Sequence, residues 1–233
     1  MSLSSSHPTA AIRLYGYWRS SCTYRIRIIL NVKSISYETV PIHLVRNEHQ
    51  TEDHTHRSPM RGVPALEIDG VTLSQSGAIA AYLDETRGGP PLMPRGDTLG
   101  AALTRARIRA IVDAIGCDIQ PIGNLKVLRY VMAQEPPEST KESREAVRDA
   151  WSVKWITEGL MGVEALVSLS AGLCCVGDEV TMADAWLIPQ LYNAARVGIP
   201  VDRLCPTLTR VAAHLATLPA FEQAHPSKQP DAE

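Results

Sequence analysis

One stretch near the N-terminus constrains the fold more than any other part of this 233-residue sequence. An apolar run ends at Gly16, and apolar residues then recur with helical spacing as far as Leu30, which predicts a strand followed by a helix. Three small side chains with hydroxyl or thiol groups, Ser20-Ser21-Cys22, occupy the turn and the helix start. This order is typical of an α/β domain whose chemistry lies at the start of a helix.

The helix start after Ser20 favours an anion. The first N–H groups of a helix lack intrahelical partners, and the aligned peptide dipoles add about half a positive charge there. Such a position suits a thiolate, which comes either from Cys22 itself or from the thiol of a bound ligand. Structural roles stay open as well, because serine is a common N-cap residue and a cysteine at a helix start can pack inward.

The sequence around this turn predicts a small α/β domain. Residues 12–16 predict a strand, residues 23–32 a helix and residues 36–41 a second strand. A strand, a helix and a strand in this close order imply a right-handed parallel crossover.

A hairpin and a helix complete the predicted domain. Pro64 opens a strand, and Asp69-Gly70 is a strong signal for a hairpin turn. The sequence leaves the isomer of the bond before Pro64 open; a cis bond would turn the backbone N–H and C=O of Val63 toward a ligand. The next helix begins beside Ser76, where the free N–H groups suit a carboxylate, although a serine there can also act only as a cap.

The second half of the chain is predicted to be helical. Residues 88–94 are rich in glycine and proline and predict a linker. Beyond them there is little strand signal, and Thr181 with Asp184 predicts a capping box at a helix start. The segments with helical periodicity are 101–120, 125–132, 142–171, 182–195 and 206–217.

The composition bounds the partners and the compartment. A formal charge of −2 and a pI near 6.4 give no general attraction to nucleic acid or to an anionic membrane. No apolar stretch is long enough to cross a bilayer, and the Ser-rich residues 1–11 lack the features of a signal peptide. Five cysteines without a metal-ligand spacing favour a reducing compartment. We therefore predict a cytoplasmic protein with a disordered leader and with no nucleic-acid or membrane partner.

Three histidines, His49, His54 and His56, raise the hypothesis of a metal site. They lack a carboxylate or cysteine set at helical ligand spacing, so a solvated loop or a short helix is the favoured interpretation. No metal is predicted.

Taken together, these features resemble the cytosolic glutathione transferases. Ser20-Ser21-Cys22 followed by Arg25-Ile26-Arg27 is similar to the S-S-C-x-x-R-V-R-I signature of the zeta class. Residues 124–128, 176–184 and 229–231 also resemble zeta-class segments at matching places. The resemblance covers nearly the whole chain, from residue 14 to residue 231.

The resemblance implies an architecture. It places a thioredoxin-like α/β domain, with element order βαβαββα, at residues 12–87 and assigns glutathione binding to it. A linker follows at 88–97, then an all-helical substrate-binding domain at 98–222 and a C-terminal tail at 223–233. The resemblance further implies a homodimer with glutathione as its cofactor.

The resemblance also implies roles for single residues. Ser20 would hydrogen-bond the glutathione sulfur, with Ser21 and Cys22 beside it and Cys22 as a contributor rather than the essential nucleophile. Val63 would pair with the cysteinyl backbone of glutathione. The other implied positions are Gln75 and Ser76 for the γ-glutamyl carboxylate, His49 and Gln50 for the glycyl end, and Gln120, Asn124 and Arg196 for the substrate pocket.

The activity that the resemblance implies is the glutathione-dependent cis–trans isomerisation of maleylacetoacetate to fumarylacetoacetate. A helix N-terminus and the Ser20 hydroxyl, each worth on the order of 1 kcal/mol, would stabilise the thiolate that adds reversibly to the double bond. Because the substrate is a dianion, its pocket requires cations, and Arg19 and Arg196 are the candidates.

Several alternatives stay open. A maleylpyruvate isomerase would differ only in pocket size, and a transferase would conjugate glutathione to an electrophile or replace a halogen with the same thiolate. A third alternative is a non-catalytic module that binds other proteins, against which the complete set of thiol-site residues argues. A thiol oxidoreductase acting through Cys22 is disfavoured, because the sequence contains no CxxC motif.

Overall fold

The computed structural model describes residues 11–233. These residues divide into two compact units, and the first unit combines residues 11–89 with the C-terminal segment Ala220–Glu233. The second unit is Pro90–Pro219. The predicted disordered leader, residues 1–11, lies outside the described residues apart from Ala11.

The C-terminal segment groups differently from the predicted domain limits, which place it partly in the helical domain and partly in a tail. Hydrogen bonds with the first helix account for the difference. Asn31 Nδ2 donates to the carbonyl of Ala220 at 3.0 Å, and Arg27 Nε donates to the carbonyl of Ala224 at 3.0 Å. The last residues of the chain therefore belong to the first unit.

The first unit is built on one mixed β-sheet. Its strands are β1 (Arg13–Gly16), β2 (Glu38–Pro41), β3 (Ala65–Ile68) and β4 (Val71–Ser74). Among the described residues the strand order is β2-β1-β3-β4. β1 is parallel to β2 and antiparallel to β3, which pairs in antiparallel fashion with β4. The parallel pair is the crossover that the sequence predicts.

Three helices accompany this sheet before the linker: α1 (Ser21–Val32), α2 (Glu52–Arg57) and α3 (Ser76–Thr86). The order β1-α1-β2-α2-β3-β4-α3 confirms the predicted thioredoxin-like βαβαββα arrangement. Every residue from Thr23 to Leu30 is buried, so α1 is the central helix of this unit. A Cβ at Gly16 would clash with the Thr23 methyl group, so only glycine permits this close approach of strand and helix.

The β3–β4 turn forms as its local chemistry predicts. Asp69 and Gly70 have φ values of 53° and 76°, and positive φ at both central residues defines the type I′ hairpin turn. The turn fixes the register that pairs Ile68 with Val71.

The second unit is helical, as predicted. Within the described residues, the four strands of the sheet all lie in the first unit. No helix among residues 11–233 combines the length and the apolar character needed to cross a membrane. Its helices are α4 (Leu99–Asp113), α5 (Leu125–Ala133), α6 (Lys141–Ser168), α7 (Met182–Arg196), α8 (Val201–Leu204) and α9 (Pro206–Leu215), and α10 (Pro219–Ala224) begins at the boundary with the C-terminal segment.

Two local features of this unit can be compared with the sequence predictions. A π-helical turn, Ala114–Ile119, continues α4, where the sequence predicts one uninterrupted helix. The predicted capping box at the start of α7 is present, because the Asp184 carboxylate accepts from the N–H and the hydroxyl of Thr181 at 2.7 and 2.9 Å. The same carboxylate accepts from the N–H of Cys175 at 2.8 Å.

Candidate active site

Ser20 is the N-cap residue of α1. Its backbone is extended, with φ −69° and ψ 119°, and its Oγ accepts a hydrogen bond from the N–H of Thr23 at 3.2 Å. Its carbonyl accepts from the N–H of Tyr24 at 2.8 Å. A hydroxyl has one hydrogen to donate besides its acceptor lone pairs, so capping leaves that hydrogen for a further partner. Ser20 can therefore cap the helix and donate to an anion at the same time.

The next two residues begin the helix and supply further donors. Ser20 accepts from Thr23 and Tyr24, which leaves the N–H groups of Ser21 and Cys22 for another acceptor. Ser21 is 8% exposed, whereas Cys22 is half-buried. The helix N-terminus can thus hold a thiolate or another small anion beside Ser20.

A buried arginine joins this helix start to the start of α3. Arg25 is 3% exposed, and its Nη1 donates to the Ser76 hydroxyl at 3.3 Å. The same nitrogen lies 3.7 Å from Cys22 Sγ, which accepts the second hydrogen bond. The predicted thiol site and the predicted carboxylate site are therefore brought together by one cation.

The start of α3 has an unusual backbone. Ser76 is the first helical residue and is 8% exposed, while Gln75 precedes it as the N-cap with φ 71° and ψ 115°. A non-glycine residue with positive φ costs on the order of 1–3 kcal/mol and persists where function or packing requires it. The exposed Gln75 side chain makes no capping hydrogen bond, so it is available to a ligand.

His54 supports the backbone that precedes Val63. The residue is 1% exposed, and its Nε2 lies 2.9 Å from the carbonyl of Gly62. A carbonyl can only accept, so Nε2 carries the hydrogen and donates it. The Val63-Pro64 peptide bond that follows is cis. His54 has a structural partner here, and within residues 11–233 no group of three or more His, Cys, Asp or Glu side chains is arranged to hold a metal ion.

His49 and Gln50 lie in a 3-10 turn, Glu48–Gln50, ahead of α2. His49 is half-buried and Gln50 is exposed. Gln50 Nε2 donates to Asn47 Oδ1 at 3.4 Å, a weak contact that a ligand can replace. The 3-10 turn and α2 together form the kind of short helical segment that the sequence favours over a metal site.

Arg19 lies directly before Ser20 and is held by aromatic residues. Its guanidinium carbon is 4.9 Å from the centre of the Trp18 ring, within the range of a cation–π contact. Its Nη2 donates to the Tyr17 hydroxyl at 3.2 Å. The positive charge of Arg19 is thus fixed beside the thiol site.

The three predicted substrate residues lie in the second unit, each at the end of a helical element. Gln120 follows the π-helical turn, and Asn124 caps α5 by accepting from the N–H of Lys126 at 3.2 Å. Arg196 is the last residue of α7 and is exposed. The cap uses one oxygen of Asn124, and its amide hydrogens are the groups left for a substrate.

Burial separates the five free thiols into two kinds. Burial, and then the Asp184 carboxylate, raises the pKa of Cys174 to about 12, and the pKa of Cys175 is also raised well above its usual value by burial. Burial raises the pKa of Cys205 as well. These three thiols stay protonated at neutral pH, whereas Cys22 is half-buried and Cys117 is exposed.

Sequence reasoning missed the roles of Arg25 and His54. The sequence presents Arg25 only as part of a signature and His54 only as a candidate metal ligand. A signal for Arg25 exists in the sequence, since it stands among apolar residues of a helix that is buried on every side, and a buried charge requires partners. The hydrogen bond from His54 to the Gly62 carbonyl has no corresponding signal in the sequence.

Comparisons with known proteins agree with this geometry. Residues 10–85 match the family model of the glutathione S-transferase N-terminal domain. The chain is 43% identical over 220 residues to probable maleylacetoacetate isomerase 2 of Drosophila melanogaster, covering 94% of this chain and 89% of that protein.

Solved structures of zeta-class proteins and maleylacetoacetate isomerases are also similar to this chain. The chain is similar to a holo structure of a bacterial zeta-class maleyl pyruvate isomerase, with a TM-score of 0.85 and 35% identity over 95% of this chain and 100% of that chain. It is equally similar to maleylacetoacetate isomerase from Methylobacterium extorquens AM1 with bound malonate and GSH, with a TM-score of 0.85 and 34% identity over 95% of this chain and 99% of that chain. The predicted resemblance is thereby confirmed: the chain belongs to the zeta class of glutathione transferases, the family of the maleylacetoacetate isomerases.

Proposed function

We propose that this chain is a glutathione-dependent isomerase that converts maleylacetoacetate to fumarylacetoacetate. The names of its relatives support this reaction, since a probable maleylacetoacetate isomerase is 43% identical over 94% of the chain. The observation that carries the proposal is Ser20, whose hydroxyl caps α1 and still has a hydrogen to donate at the positive end of the helix.

The residues of the first unit fit glutathione. Ser20 donates to the sulfur, and the N–H groups of Ser21 and Cys22 add positive potential at the same place. Bound glutathione supplies the thiolate that adds reversibly to the substrate double bond, so that rotation about the resulting single bond turns cis into trans. The remaining contacts we assign are the Val63 backbone to the cysteinyl residue, Gln75 and Ser76 to the γ-glutamyl carboxylate, and His49 and Gln50 to the glycyl end.

Arg25 supports the fit with a buried positive charge. Its buried guanidinium touches Cys22 and Ser76, the residues at which the two anionic ends of the γ-glutamyl-cysteinyl part would lie. A cation in a weakly solvated position stabilises anions more strongly than an exposed one does. The thiolate and the γ-glutamyl carboxylate are thus matched by a charge already present.

The substrate also requires positive charge, because a maleyl diacid is a dianion. Arg19 is held beside Ser20 by Trp18 and Tyr17, so it can meet a carboxylate without first losing much side-chain freedom. We assign substrate contacts to Arg19 and, in the second unit, to Gln120, Asn124 and Arg196. Preorganised donors of this kind stabilise the negative charge that develops on a conjugated oxygen during addition.

A second candidate is maleylpyruvate isomerisation. One of the similar solved structures is a maleyl pyruvate isomerase, with a TM-score of 0.85 and 35% identity. The same thiolate chemistry serves both substrates, so the choice rests on the shape of the substrate pocket and not on the thiol site.

Two measurements test the proposal. The purified chain should be retained on immobilised glutathione and released by free glutathione. It should then turn over maleylacetone, an analogue of maleylacetoacetate, faster than maleylpyruvate, dichloroacetate or a chloronitrobenzene. Faster turnover of maleylpyruvate would select the second candidate, and preference for a halogenated compound would select a conjugating or dehalogenating transferase. Failure to bind glutathione would contradict all of them.

We further propose that the chain forms a homodimer in the cytoplasm. Leu99 and Leu103, one turn apart on α4, are 77% and 51% exposed, and such apolar surface is typical of a protein contact. Gel filtration with light scattering tests the dimer, and Leu99→Asp with Leu103→Asp should shift the protein toward monomer.

The cysteines support the cytoplasmic location. Five cysteines without a disulfide fit a reducing compartment.

A further inference from the structure

The last residues of the chain return to the loop in front of Ser20. Asp231 Oδ2 accepts a hydrogen bond from the N–H of Trp18 at 3.0 Å, although the two residues are 213 positions apart in the sequence. Asp231 is half-buried. No part of the mechanism above uses this carboxylate, so its role needs a separate explanation.

The carbonyl of Trp18 is held as firmly as its N–H. Arg27 Nη2 donates to this carbonyl at 2.9 Å, and Arg27 Nε donates to the carbonyl of Ala224 at 3.0 Å. Arg27 is 1% exposed, so neither bond competes with bulk water. Both polar backbone groups of Trp18 are therefore fixed by Asp231 and by Arg27.

The segment that carries Asp231 is itself fastened at several points. Gln229 Nε2 donates to the carbonyls of Gln223 and His225, both at 2.9 Å, and Gln229 is 9% exposed. The His225 ring meets the ring of Tyr24 edge-on, with centres 6.2 Å apart. We call residues 220–233 the C-terminal strap. The Gln229 bonds fasten the strap internally, and the His225–Tyr24 contact, together with the bonds from Asn31 and Arg27, holds it against α1 as a support for Asp231.

The position of Trp18 is transmitted to Ser20 through a tight turn. The N–H of Ser20 donates to the carbonyl of Tyr17 at 2.9 Å, which closes the turn across Trp18 and Arg19. A displacement of Trp18 therefore moves Ser20, and a shift of about 1 Å in a reacting group can cost 100-fold in rate. The geometry at Trp18 thus bears directly on the Ser20 hydroxyl.

We propose that Asp231 is a positioning residue that holds the Ser20 hydroxyl in place for the glutathione sulfur by accepting the Trp18 N–H. This role rests on the proposed function, because it concerns the thiol that Ser20 holds. Asp231 does not touch the ligand in this scheme; it acts through the backbone of Trp18.

The test compares three substitutions of Asp231 in the full chain. Asp231→Ala removes the acceptor, Asp231→Asn keeps an acceptor oxygen without the charge, and Asp231→Glu keeps the charge but moves the acceptor by one methylene. The readouts are the ultraviolet absorbance of the thiolate of bound glutathione against pH, kcat and the KM for glutathione with maleylacetone as the substrate, and amide hydrogen exchange of the peptide that contains residues 17–24.

The expected result separates positioning from general destabilisation. Asp231→Ala should reduce the thiolate fraction at pH 7 and kcat about tenfold, with KM for glutathione changed less. Residues 17–24 should exchange faster in the same variant. Asp231→Asn should restore most of the lost activity, and Asp231→Glu should fall between the two.

Glu233→Gln is the matched control, because Glu233 lies on the same strap and its carboxylate pairs with Arg46 at 2.7 Å and with His43 at 3.3 Å, not with Trp18. It should leave the thiolate signal unchanged. If Asp231→Ala fails to fold, Asp231→Asn and Asp231→Glu still decide the question.

Three outcomes would overturn the role of Asp231. A normal thiolate signal and kcat in Asp231→Ala would remove it, and so would an Asp231→Asn variant as impaired as Asp231→Ala, because the charge and not the hydrogen bond would then matter. Amide exchange of residues 17–24 at the same rate in the Asp231 variants and in the unsubstituted protein would also contradict the positioning role. Absence of a thiolate signal in the unsubstituted protein would instead overturn the proposed function and, with it, the role of Ser20.

Discussion

Arg25 Nη1 donates to the Ser76 hydroxyl at 3.3 Å, so α1 and α3 meet through a cation that is 3% exposed. Each helix presents its N-terminus at this point, and each N-terminus favours an anion. In the proposed function the thiolate lies at α1 and the γ-glutamyl carboxylate at α3. One buried charge therefore serves two anionic groups of the same ligand.

The first prediction concerns this cation. Arg25→Met should weaken glutathione binding at least about tenfold, because a charge-assisted contact is worth about 1.5–3 kcal/mol. Arg25→Lys should be intermediate, since the ammonium keeps the charge but lacks the rigid set of donors that the guanidinium presents. Titration calorimetry measures the Kd, and thermal unfolding shows whether the fold survives.

Arg13 provides the control for this prediction. It lies on β1 in the same unit, and its side chain is 49% exposed and pairs with Glu38 at 3.1 Å. Arg13→Met should leave the Kd for glutathione unchanged. A wild-type Kd in Arg25→Met would show that the buried cation serves only the packing of the two helices.

The second prediction separates the two roles of Ser20. Ser20→Ala removes both the cap and the hydroxyl hydrogen, so it should reduce isomerase turnover at least about tenfold and stability by about 1 kcal/mol. Cys22→Ala should keep much of the activity. Steady-state kinetics and urea unfolding measure the two effects separately, and the reverse order of activities would place the chemistry on Cys22.

Thr140→Ala is the matched control for the loss of a cap. Thr140 is the N-cap of α6 and accepts from the N–H of Ser143 at 3.2 Å, the same distance as in the Ser20 cap. The variant should lose a similar amount of stability and no activity. An equal loss of turnover would mean that destabilisation alone explains the Ser20 effect.

Local chemistry explains why much of the first unit was predictable. Asp69 and Gly70 form the expected turn because their backbone preferences decide it without help from distant residues. The position of Ser20 at the helix start follows in the same way from the glycine that ends β1 and from the capping preference of serine. The fold class rests on a series of such local decisions.

The π-helical turn before Gln120 was not predictable in this way. Ile111, Ile115 and Ile119 are all buried and stand four residues apart, which continues the apolar pattern of α4. The sequence therefore predicts one helix to residue 120. The change in hydrogen bonding from Ala114 to Ile119 leaves the apolar pattern intact, so periodicity cannot detect it.

Contacts between distant parts of the chain were also beyond sequence reasoning. The bond from Trp18 to Asp231 joins residues 213 positions apart, and the bond from Arg25 to Ser76 joins residues 51 positions apart. Both depend on how whole elements pack. The resemblance supplied the identities of the site residues, but the structure was needed to see what holds them.

The third prediction concerns a buried ion pair. Lys33 Nζ lies 3.0 Å from Asp84 Oδ1, with side-chain exposures of 0% and 3%, and it joins the end of α1 to α3. Removing one partner of a buried ion pair is typically strongly destabilising, so Lys33→Met should lower the free energy of unfolding by about 3–5 kcal/mol. Lys33→Met with Asp84→Leu should cost less than Lys33→Met alone. Urea unfolding of the variants measures the coupling.

Lys141 offers an exposed comparison for this pair. Its Nζ lies 3.9 Å from Glu145, and its side chain is 82% exposed. Lys141→Met should change the free energy of unfolding by less than about 1 kcal/mol, as is usual for surface pairs. If the double variant of Lys33 and Asp84 were as unstable as Lys33→Met, the Asp84 charge left behind in the interior could not be the cause.

The fourth prediction concerns pH. Glu164 on α6 accepts hydrogen bonds from the N–H groups of Thr207 and Leu208, both at 3.0 Å, at the start of α9. Burial raises the pKa of Glu164, but the hydrogen bonds from Thr207 and Leu208 outweigh burial and hold the pKa below its usual value of 4.5. The stabilisation is therefore fully present above pH 4.5 and is lost as the pH falls through the lowered pKa.

Glu164→Gln should accordingly be less stable than the unsubstituted protein at pH 7, by about 1 kcal/mol, because a neutral amide caps α9 less strongly than a carboxylate. The difference should shrink as the pH falls below 4.5, since protonation of Glu164 removes the same charge. Glu158→Gln is the control, because Glu158 lies on the same helix and pairs with Lys154 with its side chain 56% exposed. Urea unfolding from pH 7 to acid pH measures both variants, and a Glu164→Gln difference that stays constant across this range would show that charge at the start of α9 contributes nothing.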